Sequence, residues 1–133
     1  MTLVIDASLV VSALVDTSAT GEWAESILTT GPLNAPHLMP VEVANILRRA
    51  ALRGEITSDV ASMARADLLD LRVELFPYAP FAPRVWQLRD NITSYDAWYV
   101  ALAESIGSNL ATLDRRLAQA SGPRCEFETP PES

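Results

Sequence analysis

The sequence contains no lysine; all ten of its basic residues are arginine. Every mechanism that needs a lysine amine is therefore excluded. There is one cysteine, Cys125, and one histidine, His37. A single cysteine rules out an intramolecular disulfide and a multi-cysteine metal site. A single histidine rules out a multi-histidine metal site, and a Ser-His-Asp triad would have to use His37. Beside Pro36 in an expected loop, His37 reads as an ordinary, partly exposed residue. No apolar run approaches the roughly 20 residues that span a bilayer, so no membrane association is expected. The N-terminus lacks the basic flank of a signal peptide, which makes a cytoplasmic protein the simplest expectation. Basic residues are also scarce overall, 10 against 17 acids, for a net charge of −7. A general nucleic-acid binder shows the reverse balance, so any nucleic-acid role here needs a local basic patch or bound cations.

What remains is a chain of 133 residues, 49% hydrophobic. That suits one domain over residues 1–133 with a real core, ending in a loose tail from about 129 to 133. Apolar runs bounded by punctuating residues predict strands at Leu3 to Ile5, "PLNAP", "VELF", "NLATL" and "CEFE". Helices are predicted from Ser8 as cap to about Val15, over Thr20 to Thr30, from Pro40 to about Arg53, after Thr57 or Ser58, over Phe81 to Asp90, over Ser94 to Ile106 and over Arg115 to Ala120. Gly54 and Gly107 stand where C-caps belong. Strands that alternate with helices argue for an α/β domain with a mostly parallel sheet. Ligands in such sheets gather beyond the C-terminal ends of the strands. Asp6 and Asp114 each follow a predicted strand directly.

Each acid has an ordinary explanation when taken alone. Asp6 and Asp114 suit helix N-caps. Asp96, three residues after Thr93, fits a capping box. Glu42 stands in the first turn of its helix, where the helix dipole favours an acid. It shares its side of that helix with Asn45, Arg49 and Arg53. If the fold gathers the four acids, however, their charges repel, and protons or a divalent cation must relieve the conflict. Mg²⁺ or Mn²⁺, with their preference for oxygen ligands, would do so.

Four segments, "VIDASLVVSAL", "PHLMPVEVANILRR", "ITSYDAWYVALAES" and "LATLDRRLA", resemble the PIN-domain ribonucleases, specifically the VapC-type toxins of bacterial toxin–antitoxin pairs. The likeness runs over nearly the whole chain, in order. It implies a three-layer α/β/α domain with a five-stranded sheet in the order 3-2-1-4-5. It also implies an acidic centre at Asp6, Glu42, Asp96 and Asp114, with Asn45 and Arg49 close by. The implied activity is endoribonuclease cleavage by a metal-activated water, using one or two Mg²⁺ or Mn²⁺ ions and leaving a 5′-phosphate. Asp6 and Asp96 are the expected direct ligands. Asp114 and Glu42 are expected as direct ligands, as ligands through water, or as groups that orient the nucleophile. Ser8 and Thr112, each two residues from an Asp, could hydrogen-bond a ligand or a phosphate, or serve only as local caps.

The resemblance further implies an RNA substrate, a cognate antitoxin and a homodimer. The dimer face is expected on the helices carrying Val43 to Leu52 and Trp98 to Ala103. Arg48, Arg49, Arg53, Arg115 and Arg116 are candidate guides for an RNA backbone. Tyr95, Trp98 and Tyr99 are candidates for stacking on bases, against a packing role for Trp98 and Tyr99. Two rival enzymes lack a required residue: a receiver domain needs a late lysine, and a haloacid-dehalogenase-like phosphatase needs an acid where Ser8 stands. The surviving alternative is a catalytically silent PIN-fold module that binds RNA or protein.

Overall fold

The computed structural model describes residues 2–132. Its sheet is built from β1 (Leu3–Ile5), β2 (Leu33–Pro36), β3 (Val73–Phe76), β4 (Asn109–Ala111) and β5 (Phe127–Glu128). Every pairing is parallel, and the order is β3-β2-β1-β4-β5. The helices are α1 (Ala7–Val15), α2 (Ala19–Leu28), α3 (Met39–Leu52), α4 (Ser58–Asp70), α5 (Ala82–Gln87), α6 (Ser94–Ile106) and α7 (Arg115–Gln119). A short 3-10 turn, Ala79–Phe81, leads into α5. The α/β class and the strand order expected from the sequence are thus what the chain forms.

The centre of the sheet is buried on both faces, as all-parallel strands require. Leu3, Val4 and Ile5 are all but inaccessible, as are Leu110 and Ala111 beside them. α6 lies across β1, β2 and β4 and packs with α5, while α1 packs with α2, α3 and α4. Ala97 and Tyr99 to Ala103 of α6 are all buried in this core. Within the stretch expected to help form a dimer face, Tyr99 to Ala103 are thus turned into the chain's own interior. Only Trp98 stays partly accessible, edge-on to Tyr78 with ring centroids 5.3 Å apart.

Local chemistry sets the element ends. Thr57 and Thr93 cap α4 and α6 by accepting from the amides of Val60 and Asp96, which satisfies donors a helix start leaves open. Gly107 ends α6 at φ 66°, a left-handed position that suits glycine. Of the two caps the sequence offers for α1, the chain uses the earlier. Its cap is Asp6, whose Oδ1 accepts from the Leu9 amide at 3.0 Å, and Ser8 lies inside the helix. The helix expected over Phe81 to Asp90 closes at Gln87, and the "CEFE" strand shrinks to Phe127–Glu128. In the C-terminal tail, Pro130 is buried and its carbonyl accepts from Arg115 Nη2 at 2.6 Å. Part of the expected loose tail is therefore attached.

Candidate active site

β1 and β4 are neighbours in register, with Ile5 opposite Ala111. This is the switch point of the sheet: the chain leaves β1 toward β2 on one side and has β4 on the other. Ligand crevices form at such points. Asp6 and Thr112 are the next residues along, and the Asp6 amide donates to the Ala111 carbonyl at 3.3 Å. One turn of chain later, Asp114 opens α7.

Asp6 is the most enclosed of the four acids, 8% exposed. Its Oδ1 accepts from Ser8 Oγ at 2.7 Å and from the Leu9 amide; its Oδ2 accepts a close hydrogen bond from Thr112 Oγ1. The Ser8 hydroxyl also accepts from the Leu113 amide at 3.3 Å, and Thr112 Oγ1 from the Asp114 amide at 2.9 Å. Ser8 and Thr112 thus brace Asp6 and tie the two strand ends together. Burial pushes the Asp6 carboxyl up to about 6; the bonds from Thr112, Ser8 and Leu9 pull it down, and the charge of Asp96 adds to the rise.

Asp96 sits in the first turn of α6 and Glu42 in the first turn of α3. Burial raises Asp96 above the usual carboxylate range, and the charge of Asp114 raises it further. Burial likewise raises Glu42, with Asp96 adding to it and the bond from Tyr99 opposing it. Asp96 therefore stands within electrostatic reach of all three other acids. Asp114 is exposed, and its Oδ1 caps α7 by accepting from the amides of Arg116 and Leu117. The capping roles and the clustering hold together: one oxygen of Asp6 and one of Asp114 start helices, and the same side chains border the cluster.

The structure brings together Asp6, Glu42, Asp96, Asp114, Ser8 and Thr112. Asn45 and Arg49 stand on the same helix as Glu42, one and two turns further along. Both are exposed on α3, with no hydrogen bond to any of the four. Every donor in the cluster is an oxygen, most of them carboxylate, which suits a hard divalent ion such as Mg²⁺ or Mn²⁺. Among the described residues, no three His, Cys, Asp or Glu side chains stand close enough to enclose an ion by themselves. The set is an open one, of the kind in which a hard cation keeps part of its water.

Tyr99 is the residue the sequence reading did not place here. It is 2% exposed, three residues after Asp96 on the same face of α6, and its hydroxyl donates to Glu42 Oε1 at 2.6 Å. Burial, then the bond to Glu42, raises its phenol far beyond the ordinary range, so it stays a donor. The bond occupies one oxygen of Glu42 and fixes the direction of the other. Tyr99→Phe is expected to keep the fold and to weaken Mn²⁺ binding and RNA cleavage about tenfold. Calorimetric titration with Mn²⁺ checks the first effect; unchanged affinity would show that Glu42 needs no such hold.

The family model for the PIN domain matches residues 3–123, and the chain belongs to that family. Among curated proteins it is 42% identical to Ribonuclease VapC1 of Mycobacterium tuberculosis, over 94% of this chain and 95% of that one. It is 33% identical to VapC ribonuclease Mb0985 of Mycobacterium bovis, over 97% and 98%. It is thus a VapC-type PIN protein. The fold agrees with a crystal structure of VapBC2 from Rickettsia felis bound to a promoter DNA fragment, at TM-score 0.68 and 13% identity, covering 97% of this chain and 98% of that one.

Proposed function

We propose that this chain is a Mg²⁺- or Mn²⁺-dependent endoribonuclease and the toxin of a toxin–antitoxin pair. The observation that carries the reading is the meeting of Asp6, Glu42, Asp96 and Asp114 at the C-terminal ends of β1 and β4. Burial raises the proton affinity of Asp6, Glu42 and Asp96, and the neighbouring charges of Asp96 and Asp114 add to it, an arrangement that costs stability and that a cation between the acids would relieve. The relatives named as VapC ribonucleases support the same activity.

In this reading, Asp6 and Asp96 would hold the ion directly, and Asp114 and Glu42 would bind it directly or through water, or orient the nucleophile. A divalent ion there supplies Lewis-acid activation of a water and neutralises charge on the phosphate. The protein's own part is positional. Ser8 and Thr112 fix Asp6, Tyr99 fixes Glu42, and the start of α6 holds Asp96 between them. The buried inner side of the cluster, at Asp6, keeps bulk water off the ligands on that flank.

The antitoxin needs a surface of its own. A groove of about 290 Å³ lies between α3 and α4, lined by Leu47, Ala51, Leu52 and Ala61 with Arg48 and Arg65 at its edges. Leu52 is exposed there at 72%. A neutralising segment that lays an apolar helix face into this groove fits the helix-in-groove mode. The groove is basic at its rim rather than acidic, so the acidic cluster and the apolar groove are separate surfaces. Homodimers remain part of the proposal.

The test is cleavage of total RNA by the purified chain. Activity is expected with Mn²⁺, to vanish in EDTA and to return when Mn²⁺ is restored, with mapped product ends carrying 5′-phosphates. A clean preparation that cuts nothing under any metal would favour a silent binding module.

A further inference from the structure

A polar cleft of about 540 Å³ opens beside the acids, between the turn joining α5 to α6 and helix α7. Asp96 and Asp114 lie at it, and so do Arg89 and Arg116. Ile92, Leu117 and Ala120 supply apolar lining.

Most arginines with assigned partners are engaged elsewhere. Arg84 forks onto Glu104 at 2.7 and 3.1 Å. Arg53 pairs with Glu55 at 3.9 Å. Arg115, an expected guide for RNA, turns away to Pro130 and Glu132. Arg116, its neighbour in sequence, faces the cleft, and the hydrogen bond assigned to it comes from its backbone amide. Arg89 is held in place without a carboxylate: its guanidinium lies 4.6 Å over the Trp86 ring, and Nη1 donates to the Trp86 carbonyl at 2.8 Å. Such a cation is oriented by stacking and forms no close ion pair, though Asp90 borders the same cleft.

Resting on the nuclease reading, we infer that this cleft carries the single-stranded RNA segment next to the scissile phosphate, with Arg89 and Arg116 on backbone phosphates. A guanidinium fork meets phosphate oxygens in pairs. Two of them flanking the acids would set the register of the strand across the site, as phosphate contacts do without reading sequence. The apolar lining gives sugar and base surfaces something to cover. A protein segment is better served by the apolar α3–α4 groove, which is why nucleic acid is assigned here.

The experiment is anisotropy of a fluorescein-labelled, mixed-sequence RNA of about 12 nucleotides, with Ca²⁺ in place of Mg²⁺, over a series of salt concentrations. Arg89→Gln and Arg116→Gln should each weaken binding several-fold and make the plot of log affinity against log salt shallower by about 0.7. In cleavage with Mn²⁺, KM should rise more than kcat falls. Arg72→Gln, an exposed arginine away from the cleft, should change neither affinity nor slope. The proposal is overturned if the wild type binds RNA and both cleft variants match it, or if Arg72→Gln weakens binding as much as they do. If the wild type neither binds nor cuts RNA with any divalent ion, the nuclease reading falls and takes this path with it.

Discussion

Changing Asp96 to Asn is expected to lower metal-dependent RNA cleavage about a thousandfold while the metal-free protein melts no lower than its parent. The loss of activity follows from removing a hard anionic oxygen from the middle of the cluster. A thousandfold corresponds to about 4 kcal/mol, within what one ligand of a catalytic cation supplies. The fold is spared because the cap of α6 uses the backbone amide of residue 96, which donates to Thr93 Oγ1 whatever the side chain. The metal-free protein is spared for an electrostatic reason. Asp96 raises both Asp6 and Glu42 and is itself raised by Asp114, so its charge sits among three like charges. Losing the favourable dipole contact of a first-turn acid, about 0.3–1 kcal/mol at most, is offset by relief of that repulsion. Melting in EDTA and cleavage in Mn²⁺ make the comparison. Full activity in the variant would remove Asp96 from the chemistry; a large fall in melting temperature would show that it is structural.

The second expectation concerns pH. In EDTA, the contribution of Asp6 makes the protein less stable as pH rises from about 4 to about 6. The folded carboxyl holds its proton to about 6, against 3.8 for the ordinary group. Between those values the folded state binds more protons than the unfolded state, so the stability of the fold falls with rising pH. At about 1.4 kcal/mol per pH unit, the full effect is about 3 kcal/mol, felt above pH 6 and absent below about 4. Glu42 and Asp96 are raised as well and act in the same direction. Glu104 is lowered by its bond from Arg84 despite its burial, and acts oppositely. Urea unfolding at several pH values, for the wild type and Asp6→Asn, isolates the Asp6 part as the difference between the two profiles. Parallel profiles would mean that Asp6 is already ionised at pH 4. A bound ion requires the carboxylate, so Mn²⁺ affinity should weaken as pH drops below 6.

The frame of this protein was legible because its signals are local. "LVI" and "NLA" are short apolar runs closed by polar residues, and α6 has a threonine before it and a glycine after it. The start of α1 was harder, because Asp6 and Ser8 are both good caps and only the backbone shows which one Leu9 uses. The four acids could be named one by one, but their meeting is a property of strand order, which residue spacing does not encode. Tyr99 was read as a stacking or packing residue, and it is core; its bond to Glu42 was not legible because that acid lies on a different helix, 57 positions away. Arg115 and Arg116 were indistinguishable as letters. Adjacent residues on a helix point about 100° apart, which sends one to the tail and the other to the cleft.

Asp6 grips the Leu9 amide with one oxygen and the Thr112 hydroxyl with the other. Any visitor that draws on those oxygens must loosen or tighten both grips at once. The Leu9 N–H, buried and bonded directly to that carboxylate, is thereby a built-in gauge at constant pH. In a nitrogen-15 spectrum its resonance should move with each equivalent of divalent ion added, reporting occupancy in a protein that never has to cut anything.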